Sequence, residues 1–270
     1  MSFPNVIYGD YGDEKRAQST KIGSMPIGTL MVLPDGSKHR HFRAPTGTAL
    51  TAGYLVQTRA VPADTMLVGN LVPNGTIAVG ATSVAMTTGG TTAVTTDEYE
   101  DGLLFVGVAS TAQSGAGRKY RIKANNSAAS GSATVTVDLY PEDSIQATIA
   151  GGTTTLGLRV NPYNQPQVTT ADTVATGPFA GVPQVAVSAG FYGWLQRSGP
   201  SLVFVGGTAL TGAGLPVVAS TGVAGAVADF VTAAADTTGV RYARNLAFVG
   251  RGLTLGIANG FALVDLELEK

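Results

Sequence analysis

The residues best able to do chemistry are His39 and His41, the only two histidines in the chain. They lie two apart in the basic stretch Lys38-His39-Arg40-His41-Phe42-Arg43. On a strand, that spacing puts both imidazoles on one face, where a pair can begin a metal site, and puts Lys38, Arg40 and Phe42 on the other. No third ligand stands nearby at a recognisable spacing, so the stretch reads as an exposed basic strand suited to docking an acidic partner. A Ser-His-Asp triad would have to borrow one of the same two histidines. Cysteine is absent. There is no Gly-x-Ser-x-Gly elbow, and no Gly-x-x-x-x-Gly-Lys-Ser/Thr loop to cradle a phosphate.

Carboxylates are densest in Asp97-Glu98-Tyr99-Glu100-Asp101-Gly102. Several carboxylate oxygens could hold calcium, but the EF-hand spacing is missing and the segment reads as a solvated acidic turn. Paired carboxylates for glycoside hydrolysis are a matter of spatial separation, which the sequence does not give. One tryptophan, Trp194, makes a thin platform for stacking sugars. Arg118, Lys119, Arg121 and Lys123 form a basic strand with Tyr120 and Ile122 facing inward, and it reads as a solvated face rather than a nucleic-acid site. The expectation is a protein that is not an enzyme, with no catalytic, cofactor-binding or metal residues and no cofactor.

The elements that would position such residues are β-strands. Charged residues are 13% of the 270, about half the roughly 25% of ordinary soluble domains, and glycine supplies 36 positions. So few charges cannot coat the whole surface, which points to an exterior covered by other protein. A net charge of −1 offers no general attraction to nucleic acid or to an acidic membrane. Neither a secretory signal nor an apolar run near the roughly 20 residues of a membrane span is seen, and the expectation is a soluble protein made without export.

Gly47-Thr48-Ala49-Leu50-Thr51 recurs as Gly207-Thr208-Ala209-Leu210-Thr211. Each copy is followed by a glycine and an apolar strand, and further on by Phe-Val-Gly at 105–107 or 248–250. This suggests related β modules. Turn signals every 8–12 residues or so argue for sandwiches or barrels. The reading is all-β: two or more β-sandwich or barrel-like modules, an extended N-terminal arm and little helix. Residues 1–24 form the arm, 25–150 a first module, 151–183 a connector rich in Gly, Thr, Asn and Pro, and 184–270 a second module. Ile27 to Leu33, the turn Pro34-Asp35-Gly36-Ser37 and Lys38 to Arg43 make a hairpin. Asp143 to Ala150 is a short helix candidate with Ser144 as its cap. The last strand alternates Asp265, Glu267 and Glu269 against Leu266 and Leu268, as a half-buried strand at or near an edge would.

The run from Pro34-Asp35-Gly36-Ser37 through His41-Phe42-Arg43 and on to Gly47–Gln57 resembles the opening of structural proteins of tailed bacteriophages. Glu98–Leu104, Tyr120–Lys123 and Val135–Leu139 resemble that family's central block, and Tyr192–Gln196 with Gly260–Val264 its later blocks. The resemblance implies a capsid decoration (cement) protein. Such a protein is a non-enzymatic virion component, made in the host cytoplasm, that binds the outer surface of an HK97-type capsid and stabilises it. Its implied partners are the major capsid protein and itself, as a homotrimer, with no nucleic acid and no membrane. From clustering of charge and aromatics, the expected capsid contacts are Phe3, Tyr8, Tyr11, Lys15 and Arg16 in the arm, and Lys38, Arg40 and Arg43 on the basic strand. The rival readings are a phage tail, collar or fibre component, separable by location in the virion, and a carbohydrate-binding adhesin module, separable by glycan binding.

Overall fold

Seventeen short strands appear in a computed structural model that describes residues 6–21, 25–59, 69–88, 93–109, 115–131, 133–152, 154–171, 176–230 and 248–269. The chain is all-β and divides into two units, one inserted in the other. Residues 1–60 and 165–270 make the host unit, and residues 61–164 the inserted unit. Each unit has its own sheet.

The host unit carries β1 (Val6–Tyr8), β2 (Leu30–Val32), β3 (Lys38–Arg43) and β4 (Val56–Gln57) before the insertion. The inserted unit holds β5 (Val72–Pro73), β6 (Ser83–Thr87), β7 (Leu103–Ala109), β8 (Lys119–Asn125), β9 (Thr134–Leu139) and β10 (Thr154–Arg159). The host unit resumes with β11 (Gln167–Val168), β12 (Phe179–Pro183), β13 (Tyr192–Phe204), β14 (Pro216–Ala219), β15 (Val227–Asp229), β16 (Phe248–Gly252) and β17 (Phe261–Glu267).

The host sheet runs β1-β2-β3-β13-β17-β16-β14-β15, with β4, β11 and β12 branching from it. The β2–β3 hairpin forms as its Asp-Gly turn predicts, with Gly36 at φ 81 and Leu30 opposite Arg40. β13 pairs with β3 along Tyr192–Ser198 and with β17 along Ser198–Phe204. One face of this ladder buries Val203, Val205, Val249, Ala262, Val264 and Leu266, and along β17 the buried residues alternate strictly with outward ones.

The inserted sheet runs β10-β7-β8-β9-β6-β5. Pro73, which has no N–H for a ladder, sits on its edge strand. Leu71 and Leu156 exchange backbone hydrogen bonds of 3.0 and 2.8 Å, bringing the β5 end against β10 and bending the sheet toward a closed barrel. Its core contains Leu104, Tyr120, Ile122, Val135, Val137 and Ile149.

Several expectations give way here. The linear division into modules at 25–150 and 184–270 is replaced by an insertion, because β3 finds its partner in β13, far along the chain. The stretch 151–183 is not a connector: β10 completes the inserted sheet, and β11 and β12 both pair with β4. Its glycines mislead because at least one is needed inside a strand. Gly157 lies opposite Phe105, whose ring occupies the space a Cβ would fill.

The arm, over its described residues, is folded onto its own sheet. β1 runs parallel to β2, the Gly9 N–H donates to Val32 O, and Gln18 exchanges hydrogen bonds with Tyr192. The helix candidate at 143–150 is extended instead. A 3-10 turn ends at Asp143, then Ile145 and Ile149 bond strand-like to the 77–81 segment. The last strand is interior, between β13 and β17's other neighbour β16, and its polar residues alternate because one face of the sheet is outward.

Both copies of the repeated pentapeptide fall in the host unit. Leu50 and Leu210 are each buried, and Gly53 (φ 77) and Gly214 (φ 80) each make the left-handed bend that precedes β4 and β14. The Phe-Val-Gly companions do not follow suit, since 105–107 lies in the inserted unit and 248–250 in the host unit.

Candidate interaction surfaces

β3 is a buried strand, not an exposed basic one. His39 and His41 are each about 1% exposed and Phe42 is fully buried, so two adjacent positions, His41 and Phe42, are both covered. His41 sits opposite Trp194 in the ladder, its ring stacked on Tyr192 at 5.7 Å and tilted against Trp194 at 5.3 Å. His39 Nε2 lies 3.2 Å from Ser37 Oγ. Burial pushes the His39 pKa down to about 4, against the opposing pull of the Glu14 and Asp35 charges. Ser37 and His39 are thus the nucleophile–base pair that a hydrolase would need, but both are buried and offer a substrate no surface. Among the described residues, no three His, Asp or Glu side chains converge as a metal would require.

Arg40 turns inward as well. Its guanidinium forms a two-point ion pair with Glu269 and donates a 2.7 Å hydrogen bond to Gly28 O. Glu269 also receives Arg197 Nε at 3.0 Å, and Arg197 further donates to the carbonyls of Phe179, Ala180 and Leu268. Two arginines on neighbouring strands therefore clasp the end of the chain. Nothing in the composition marks Glu269 out. Only the register that brings β3, β13 and the residues after β17 together reveals it.

The acidic segment is likewise structural. Glu98 and Asp101 are buried. Glu98 Oε2 accepts from the Thr95 N–H at 2.8 Å, Asp101 accepts from the Tyr140 hydroxyl at 2.6 Å, and Asn125, Asn161 and Asn164 stitch the turn with further hydrogen bonds. Burial, then the Asp101 carboxylate beside it, raises the Tyr140 pKa far above its usual value. The solvated turn expected here is a knotted one. The basic strand β8 does match its reading, with Lys119, Arg121 and Lys123 exposed and Tyr120 and Ile122 buried.

Among the described residues an apolar surface is also left open. On the outward face of the host sheet, Leu202 stands opposite Leu263 and Phe204 opposite Phe261. Leu202 is 52% exposed and Phe261 44%. Tyr54 stacks on Phe204 at 4.7 Å, and Phe204 meets Phe261 at 5.6 Å. The chain between β16 and β17 adds exposed Leu253, Leu255 and Ile257. Farther along the same face the character changes, with Arg251 opposite Asp265 and ion-paired to Glu267 at 3.2 Å. An aromatic and aliphatic strip bordered by charge is the anatomy of an interface core and rim. Sequence reading missed it, although the alternation of β17 already put Phe261 and Leu263 on the face of Asp265.

Of the capsid contacts expected from sequence, Phe3 lies outside the described residues. Tyr8 is 87% exposed and Tyr11 67%. Lys15 and Arg16 are exposed, beside Glu14 and Asp13 at 3.7 and 3.2 Å. Lys38 is part-exposed. Arg43 is part-buried, with its guanidinium 5.8 Å from the centre of the Tyr192 ring. The structure thus keeps Tyr8, Tyr11, Lys15 and Arg16 at the surface and commits Arg40 to an internal clasp. Compared with family models, with curated proteins and with solved structures, the chain matches none.

Proposed function

We propose that this protein is a non-enzymatic virion structural protein, a decoration protein that binds the outer surface of an HK97-type phage capsid and stabilises it. The observation that carries the reading is the outward strip of Leu202, Phe204, Phe261 and Leu263, in a chain with 13% charged residues. Fully burying one such side chain contributes about 1.5–3 kcal/mol before ordering costs, so a few of them suffice for a stable contact. Exposed Tyr8 and Tyr11 give a second patch of the kind enriched at interfaces.

A protein that binds only the assembled shell stabilises that state by mass action, and trimerisation multiplies the effect through effective concentration. The major capsid protein and further copies of this chain are the proposed partners, on the virion exterior. The test is to add the protein to capsids purified without it, then image them by cryo-electron microscopy and heat them. Density at symmetric shell sites with a higher melting temperature supports the reading. Density confined to the tail vertex moves the protein to the tail, and no binding at all ends the virion-surface reading.

A further inference from the structure

We propose that the outward face of the inserted sheet binds single-stranded nucleic acid. This goes beyond capsid binding and does not depend on it. Read from the sequence, Lys119, Arg121 and Lys123 are a solvated strand face, and the register of the sheet adds what the sequence does not show. β7 lies between β10 and β8, so its outward residues are flanked on both sides. In one row Leu103 stands between Arg159 and Arg121, and in the next Phe105 stands between Gly157 and Lys119. Lys119, Arg121, Lys123 and Arg159 are exposed, and Leu103 and Phe105 are part-exposed. With neighbouring strands about 4.8 Å apart, Arg159 and Arg121 stand roughly 10 Å from each other across an apolar stripe.

Four of the chain's 17 Lys and Arg residues meet on this face, although only 13% of all residues are charged. Like charges gathered on one sheet face repel, and among the described residues none of the four is in an ion pair. Asp138, opposite Ala124, and Asp143, whose carboxylate accepts the Arg121 N–H at 2.6 Å, lie on the β9 side. Such a cluster is unfavourable for folding alone and favourable for a polyanion. Phe105 decides which polyanion. Its ring lies over Gly157, where a Cβ would collide with it, and is thereby held at the sheet surface beside the cations. A base can stack on that ring while its phosphates meet the flanking cations, whereas an acidic peptide brings charge without a ring to stack. In a duplex the bases are already stacked on one another, so the fit is to a single strand.

The test is fluorescence anisotropy of a fluorescein-labelled oligothymidylate of about 15 nucleotides, titrated with the full chain. The titration is repeated with a strand of equal length that lacks bases, with a duplex, and with polyglutamate as a competitor. Saturable binding is expected at micromolar concentration in about 50 mM salt. It should weaken with a slope of about −2 to −3 in log K against log salt, as about three or four phosphate contacts on a single strand require. Lys119→Gln combined with Arg121→Gln should weaken binding at least about tenfold and flatten that slope by about 1.4. Both side chains are exposed, so the melting temperature should not change. Phe105→Leu should cost about fivefold or more and abolish the preference for the strand with bases. Unchanged affinity in the Lys119 and Arg121 variant, or no saturable binding by the parent, would overturn the proposal. So would equal affinity for the baseless strand or the duplex. Displacement by polyglutamate as effective as by unlabelled oligothymidylate would overturn it in favour of an acidic protein segment.

Discussion

Arg40 and Glu269 are separated by 229 positions and joined by a two-point ion pair, which Arg197 completes from the other side. Burial by itself would raise the Glu269 pKa, but the Arg40 hydrogen bond and charge, followed by those of Arg197, outweigh it and hold the carboxyl below its usual 4.5. A carboxylate with a depressed native pKa adds stability that is present above the unfolded value and is lost as pH falls through the native one. Glu269→Gln should therefore cost about 1–3 kcal/mol at neutral pH and show little further loss below pH about 4.5, where the parent loses this contribution. Arg197→Met should cost more than Arg40→Met, since Arg197 also serves three carbonyls. Urea denaturation at a series of pH values measures all three.

His39 acts in a different window. Its pKa falls from 6.5 to about 4 in the folded chain because burial disfavours the charged ring. Between those values the unfolded chain binds a proton that the native chain does not, so stability is full above about pH 6.5 and declines as pH drops toward 4. The total is on the order of 3 kcal/mol. His39→Gln should flatten the decline between pH 6.5 and 4 and leave the Glu269 effect below it. Should the imidazole carbon protons of His39 titrate near 6.5 in the native protein, the burial argument fails.

Glycine in β16 is a packing requirement. A Cβ on Gly250 would run into the main-chain carbonyl of Asp265 on β17, and backbone cannot step aside as a side chain can. Gly250→Ala is expected to cost about 3 kcal/mol or more. Gly47→Ala, where nothing lies within 4 Å of the new methyl, should stay within about 0.5 kcal/mol of the parent. A similar melting temperature for both variants would refute the contrast.

Short-range chemistry is what the sequence made legible. The β2–β3 hairpin follows from Asp35-Gly36, and strands β7, β8 and β9 follow from alternation such as Tyr120 and Ile122 against Lys119, Arg121 and Lys123. Pairing between distant segments was not legible. That β3 lies beside β13 depends on which apolar faces meet in space, and it is this pairing that buries His39 and His41, draws Arg40 to Glu269 and makes residues 61–164 an insertion. Composition misled in the same way at 151–183, where Gly157 is in a strand to admit the Phe105 ring. For the surfaces, exposed Tyr8 and Tyr11 could be read from an aromatic-rich start, whereas the strip around Leu202 needed the β13–β17 register.

That strip supplies the sharpest separation of folding from binding. Leu202 is half exposed on the outward face, opposite Leu263 in the ladder, so Leu202→Lys removes little buried area and should change stability by no more than about 0.5 kcal/mol. On a docked surface the same change places a charge where water has been excluded, and capsid affinity should fall by at least about tenfold. Tyr8→Ala with Tyr11→Ala tests the second patch in the same assay, again without a core to disturb. Retention of each variant on capsids after sedimentation measures the affinities. Loss with Leu202→Lys alone puts the contact on the β13–β17 face. If only the tyrosine variant is released, the contact lies at the N-terminal segment and the apolar strip is left for contact between copies of the chain.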